Sequence, residues 1–374
     1  MKSFDEQLLI EILRNIDNFY TDNHDFYRFK EEPNFAAKLK SRLKSLSSKY
    51  FGFKISFLKS SEYQRSLDSL LPYMDGIRQL YYLLEDERSK ALLTKLIAYR
   101  ILGKEKIKLP LSTPEFWKGR VEIDKIKHKN DFIKATFGEN SSICLYKFNL
   151  NQLNIPIEIY YRTAGMHNYL HIKQYEYNKN GIKIKPEDGE VVLDCGACWG
   201  DTALFFSNEV GTNGHVYSFE FIPGNINIFE TNINLNPKLK QRITLVPFPI
   251  ADTTGQELFY IDTGPASKVT NRQEHNLPKA QTISIDDFCL KNGIRRVDFI
   301  KMDIEGAELP ALKGATNTIK KYKPKLAISL YHSMDDFVNI PEYLESLKIG
   351  YSFYLNHGTI HAEETVLMAI ANNS

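Results

Sequence analysis

Apolar side chains return every three or four positions over residues 4–19, at Phe4, Leu8, Leu9, Ile12, Leu13, Ile16 and Phe19, the period of a helix that buries one stripe. Ser3 and Glu6 stand at the spacing of a capping box at its start. The same period runs over 73–84, through Ile77, Leu80, Tyr81 and Leu84, and over 87–102, through Leu92, Leu96 and Tyr99, with Gly103 as a stop. The first hundred residues therefore read as helical. Residues 104–116 carry two prolines and no period, which predicts a linker.

From 118 to 187 the pattern weakens into short β-like runs, 141–148 (SSICLYKF) and 155–161 (IPIEIYY). The stretch 157–177 is rich in tyrosine and holds Arg162, His167 and His171. Such a face suits a sugar-like ligand, and it suits a half-buried packing surface equally well. Beyond 187 come five short apolar runs bounded by turn residues, 191–195, 215–220, 243–248, 297–303 and 325–331, as buried parallel strands should be. Helical stripes separate most of them, at Ile226, Phe229 and Ile233 and again at Leu309, Leu312 and Ile319. Two last runs, 351–355 and 364–370, read as a hairpin. The pattern predicts an α/β fold with an open, doubly wound sheet. Three regions follow: a helical unit over 1–115, for oligomerisation or substrate recognition, a β-rich connecting or cap region over 116–180, and the α/β domain over 181–374.

Charge adds an exclusion. Among 374 residues, 48 are Lys or Arg and 46 are Asp or Glu, a net charge of +2, so no global field draws the chain to nucleic acid. No run approaches 18 apolar residues, which argues against membrane insertion. The opening MKSFDEQLLIEILRNIDNF has acids where a secretory signal needs a basic start and a clean apolar core, so a cytoplasmic location is expected. Four cysteines are too few to staple a chain of this length.

The chemistry concentrates at VVLDCGACWGD, residues 191–201. Asp194, Gly196 and Gly200 stand where a strand gives way to a helix, the place where a doubly wound sheet binds its cofactor. The three-glycine dinucleotide fingerprint is one glycine short. Glu220 follows Gly200 by twenty residues at the next strand end, placed to accept the two hydroxyls of a ribose. The pattern points to a nucleoside. Cys195 and Cys198 have zinc spacing, but no second pair completes a site.

The segments VVLDCGACWGDTALFFSNEVGTNGHVYSFEFIPGN, RRVDFIKMDIEGAELPALKGA and ETVLMAI, in that order, resemble the FkbM family of S-adenosylmethionine-dependent methyltransferases. The resemblance covers about half the chain, from near 180 onward, and leaves 1–115 without a motif. It implies a class I methyltransferase sheet whose last strand runs antiparallel, and S-adenosylmethionine as cofactor. It further implies that Asp194, Gly196, Ala197 and Gly200, with Cys198, Asp201 and Thr202 on the same turn, line its methionine and ribose side. Glu220 should hold the ribose, flanked by Phe221, with Asn225 near it. Asp252, after the third strand, falls where this fold contacts adenine. The implied acceptors are hydroxyls of sugars, glycan precursors or natural products, with phosphorus-containing and nitrogen acceptors left open.

Methyl transfer to a hydroxyl needs a base at the carboxyl edge of the sheet, and three candidates reach it: Asp303, Glu305 and His332. His332 has the natural pKa for the task. Asp303 is expected at the cofactor as well. A divalent ion is the rival use of these groups, since Asp303, Glu305, His332, Asp335, Asp336, His357, His361 and Glu363 offer ligands, though nothing in their spacing fixes a common geometry. Ser267 and Lys268 in GPASKV are further candidates to reach substrate or cofactor. The expected partner is a small-molecule or glycan acceptor, with a homodimer left open. Two rivals of other classes remain: an adenosine-dinucleotide oxidoreductase, and a cofactor-binding scaffold that has lost catalysis.

Overall fold

The computed structural model describes residues 2–29, 61–138, 141–270 and 277–372, and the helical reading of 30–60 lies outside them. The first helix, Phe4–Asn15, carries its capping box: the Glu6 N–H donates to Ser3 Oγ (3.3 Å) and the Ser3 N–H to Glu6 Oε2 (2.8 Å). Helices Met74–Leu83 and Glu87–Leu102 bury the stripes read from the sequence, and Gly103 ends the latter at φ 81°. The linker is shorter than its composition suggests. Thr113 caps a helix that runs Pro114–Ile126, with Pro114 in its first turn, where a missing N–H breaks no helical bond.

Strands β1 (Lys127–Phe137), β2 (Ser141–Asn149) and β3 (Glu158–Tyr161) form an antiparallel meander. Two asparagines one turn apart close its β3 edge as a further strand would. Asn232 Oδ1 accepts the Tyr160 N–H (2.8 Å) while its Nδ2 donates to Tyr160 O (3.2 Å), and Asn236 repeats the pair with Glu158 (2.9 and 2.6 Å). A ribbon of β4 (Tyr177–Lys179) and β5 (Ile182–Ile184) leads into the main sheet.

That sheet begins with β6 (Val191–Cys195), β7 (His215–Phe219) and β8 (Ile243–Val246). A small sheet of β9 (Glu257–Ile261), β10 (Lys268–Thr270) and β11 (Lys279–Gln281) interrupts it, an element absent from the strands read in the sequence. The chain returns as β12 (Phe299–Met302), β13 (Lys325–Ser329), β14 (Tyr351–His357) and β15 (Thr365–Ala371). The order is β14-β15-β13-β12-β6-β7-β8, with β15 antiparallel to both neighbours and the pairs among β6, β7, β8, β12 and β13 parallel. This is the doubly wound α/β sheet, with its antiparallel last strand, that the sequence led one to expect.

The amino-terminal helices share the sheet's core. One buried cluster holds Leu80, Leu96 and Ile97 together with Leu193, Ile300, Leu326, Phe337 and Ile340. They also cover the outer edge: the Glu85 N–H donates to Phe353 O (3.0 Å) and the Leu355 N–H to Ser89 Oγ (2.9 Å), pairing groups that an edge strand would otherwise expose. Among the described residues no helix is long and apolar enough to cross a membrane.

Candidate active site

Three residues with positive φ shape the turn between β6 and helix Asp201–Glu209: Gly196 (86°), Cys198 (44°) and Gly200 (80°). Position 196 has no room for a side chain, since a Cβ there would stand 2.0 Å from the Asp303 carbonyl oxygen. The turn is tied on two sides. The N–H groups of Gly196 and Ala197 both donate to Phe219 O (3.0 and 2.9 Å). From β12, Lys301 Nζ donates to Gly196 O (2.6 Å) and Cys195 O (3.2 Å). Lys301 is buried 3.5 Å from Asp194 Oδ1, and Asp194 Oδ2 accepts from Thr202 (2.8 Å) and Ser218 (3.3 Å). Burial opposes the lysine's charge, but the carboxylates of Asp194, Asp303 and Asp201 outweigh it and hold the pKa above its ordinary value.

Over the turn lies a cavity that opens to solvent. Phe219, Phe221, Phe248 and Ile250 give it an apolar wall, while Glu220, Asp303 and Glu305 supply its acidic groups and Asn225 an amide. Glu220 Oε1 accepts the N–H groups of Phe221 and Ile222 (2.8 Å each), and Oε2 accepts from Asn225 Nδ2 (3.4 Å). Burial raises the Glu220 carboxyl to about 7 against the pull of those donors. Asn225 is itself fixed, accepting from Trp199 Nε1 (3.0 Å) and donating to the carbonyl of Gly264 (3.3 Å) in the turn before β10.

Asp303, just past β12, is a hub. Its Oδ2 accepts from Tyr175 (2.6 Å), its Oδ1 from Tyr331 (3.0 Å), and His332 Nε2 lies 3.3 Å away. Glu305 stands 3.6 Å from the same nitrogen, with φ 57°. Glu308, fully buried, meets the other ring nitrogen at 3.0 Å and accepts the N–H groups of Ile304 (2.8 Å) and Gly306 (3.0 Å). Burial alone would lower the His332 pKa. The combined pull of Glu308, Asp303 and Glu305 overcomes it and raises the value to about 9, so at neutral pH the ring already holds the proton a base would need to take. Burial lifts Glu305 to about 7, only partly offset by the His332 cation.

The expected site residues therefore divide. Gly196, Cys198, Glu220, Phe221, Asn225, Asp303 and Glu305 line the cavity, as does Ser267 of the 264–269 segment. Asp194, Ala197, Gly200, Asp201 and Thr202 are not among the lining residues. Asp194 and Thr202 hydrogen-bond to each other within the strand-to-helix step, and Asp201 accepts from Tyr161 (2.6 Å) and Tyr169. Asp252 is exposed and is not among the residues that line the cavity. Lys268 is exposed, within electrostatic reach of Glu305. In the tyrosine-rich stretch, His167 stacks on His171 and meets Phe116 edge-on, with its pKa pushed by burial down to about 3, so these two histidines pack rather than face the cavity.

The proposed metal ligands scatter as well. Asp303, Glu308 and His332 offer atoms within 4.8 Å of one another, but the two carboxylates address opposite ring nitrogens, and Glu308 already accepts two backbone N–H groups. Asp336 closes the capping box of the helix beginning at Met334, while the buried His357 and His361 bond Thr365 and Tyr99. The set does not fit a shared ion. The thiols of Cys195 and Cys198 are both pushed up by burial, which disfavours the thiolate a metal requires.

Sequence reasoning missed Lys301, Glu308, Tyr175 and Tyr331. Lys301 had a signal, a charge set between the apolar Phe299, Ile300 and Met302. Tyr175 lies in the tyrosine-rich stretch 157–177 already read as a candidate ligand face, but nothing singled it out there, and Tyr331 had no signal of its own.

Residues 194–353 match the family described as the Methyltransferase FkbM domain. Among solved structures, Methyltransferase FkbM from Methylobacillus flagellatus KT is 20% identical with a TM-score of 0.52, over 81% of this chain and 60% of that one. The present chain thus spans about three-fifths of that relative, and at this identity the likeness shows the fold, that of a class I methyltransferase. An O-methyltransferase from Bacillus cereus in complex with SAH is 12% identical (TM-score 0.34, 59% of this chain and 86% of that one). Aeropyrum pernix fibrillarin with natively bound S-adenosyl-L-methionine is 10% identical (TM-score 0.34, 64% and 99%). No curated protein matches the sequence.

Proposed function

We propose, on the premise that residues 194–353 carry an FkbM methyltransferase domain, that the chain transfers a methyl group from S-adenosylmethionine to a hydroxyl of a small polar acceptor, with a sugar-like compound as the favoured class. The residues at the cavity suit that cofactor: a carboxylate fixed by two backbone N–H groups for the ribose, an apolar wall for the adenine, and a glycine turn that permits close approach. When bound, S-adenosylmethionine supplies an electrophilic methyl on a sulfonium. The protein's own work is to align the acceptor and take its proton.

The observation that carries the reading is Glu305 at the cavity wall with a pKa of about 7, next to Asp303. A carboxylate so tuned is half ionised at neutral pH and can accept the proton of a hydroxyl as it attacks. Asp303 is taken up by Tyr175, Tyr331 and His332, contacts that fix its carboxylate and suit it to orient the acceptor. His332, as imidazolium, holds Asp303, Glu305 and Glu308 around a fixed positive charge. The carboxylates of Glu220, Asp303 and Glu305 and the hydroxyl of Ser267 in the cavity lining support an acceptor that itself carries hydroxyls.

The test is transfer of labelled methyl into fractionated small molecules, with binding of S-adenosylhomocysteine followed by calorimetry. Glu305→Gln is expected to slow transfer by about 10²–10⁴ while binding persists. Glu220→Ala is expected to lose the binding. Full transfer by Glu305→Gln, with loss of transfer confined to His332→Gln, would return the base role to His332.

A further inference from the structure

Resting on that cofactor reading, we infer that Lys301 is the positioning residue of the cofactor turn and joins it to the Asp303 hub. All four residues of β12 are buried, and three of them are Phe, Ile and Met. The fourth is a lysine only 2% exposed. An ammonium in that setting is costly unless its protons are paired, so its partners show what it serves.

Those partners are mainly backbone atoms. The shortest contact, 2.6 Å, goes to Gly196 O and the next, 3.2 Å, to Cys195 O, whereas Asp194 Oδ1 stands off at 3.5 Å. If the lysine served only to neutralise Asp194, the carboxylate would hold the nearest contact. The Tyr175 ring lies 5.2 Å from the ammonium, an apolar and quadrupolar cover on one side. With the N–H groups of Gly196 and Ala197 committed to Phe219 O, the Lys301 bonds fix the carbonyl side of the same turn. Gly196, so held, is part of the cavity wall.

The link to the hub is direct. Cys195 O accepts from Lys301 Nζ and also from the Asp303 N–H (3.1 Å), so one carbonyl at the end of β6 is shared by the positioning cation and the hub residue. Tyr175 repeats the connection from the other side, its ring against Lys301 and its hydroxyl on Asp303 (2.6 Å). Filling the cavity above Gly196 should therefore be felt at the lysine ammonium, and the ammonium should set how well the cavity is filled.

The test uses the full chain and S-adenosylhomocysteine as the probe. Asp194→Asn serves as the reference, and Lys301→Met/Asp194→Asn removes both charges so that neither is stranded. Thermal melting and circular dichroism establish that both are folded. The double variant is expected to bind the probe at least tenfold more weakly than the reference, while melting no lower than Lys301→Met alone. Binding within threefold of the reference would overturn the inference, leaving the lysine as a counter-charge only. In wild type, lysine Nζ resonances of ¹⁵N-lysine-labelled protein give a readout that needs no variant. The buried, slowly exchanging signal, shifted by the Tyr175 ring, is expected to move on saturation with the probe, and a signal that stays put would also overturn the inference. Failure of wild type itself to bind would instead remove the cofactor reading on which this rests.

Discussion

Replacing His332 by Gln removes a cation that three carboxylates hold in place, and the size of the effect follows from its titration. The ring's pKa rises from 6.5 to about 9 on folding, with only 5% of the side chain exposed. At about 1.36 kcal/mol per pH unit, that rise corresponds to roughly 3 kcal/mol of stability. Because the folded pKa is the higher one, this stability is fully present below pH 6.5 and is lost as pH rises through 9. Urea denaturation of wild type and variant at pH 6, 7.5 and 9.5 isolates the effect. The difference between them should shrink by roughly 3 kcal/mol across that range. Catalysis offers an independent check. His332 lowers the Glu305 pKa, so without the ring the acid limb of the pH–rate profile, expected near 7 in wild type, should move to higher pH. Parallel stability curves would refute the imidazolium assignment. Loss of the acid limb, together with transfer lost at every pH, would show that His332 takes the proton.

Gly196→Ala forces a Cβ to within 2.0 Å of the Asp303 carbonyl oxygen and 2.9 Å of its carbon at φ 86°, both of them backbone atoms, and should cost about 2–5 kcal/mol in melting experiments and abolish binding of S-adenosylhomocysteine. Asp252→Ala should leave stability within about 0.5 kcal/mol and probe binding unchanged, since the residue is exposed outside the cavity; a tenfold loss of binding would reinstate it as an adenine contact. Arg120→Met takes the charged partner from Asp25, 2.7 Å away with both side chains at most 3% exposed, and should destabilise the chain by about 3–5 kcal/mol in urea titrations.

What the sequence by itself determined was whatever a few neighbouring residues encode. The five parallel strands were legible because each is a short apolar run between turn residues, and the capping box of Phe4–Asn15 because its partners are three residues apart. Glu220 was legible for the same reason, its place set by a strand end and by its distance from the glycine turn. Even the departures were local. Helix Pro114–Ile126 was hidden by a proline that belongs in a first turn, and the β9–β11 sheet by β10 and β11, three residues each and too short and polar to stand out, although β9 itself holds the apolar run 258–261. The division of labour at the acidic edge was decided only by the tertiary structure. His332 is an imidazolium, Glu305 a carboxyl near neutrality and Asp303 a hydrogen-bonded hub because 175, 303, 305, 308, 331 and 332 come together from separate segments. A pKa sums burial and charge over every neighbour in space, and no spacing along the chain carries that sum.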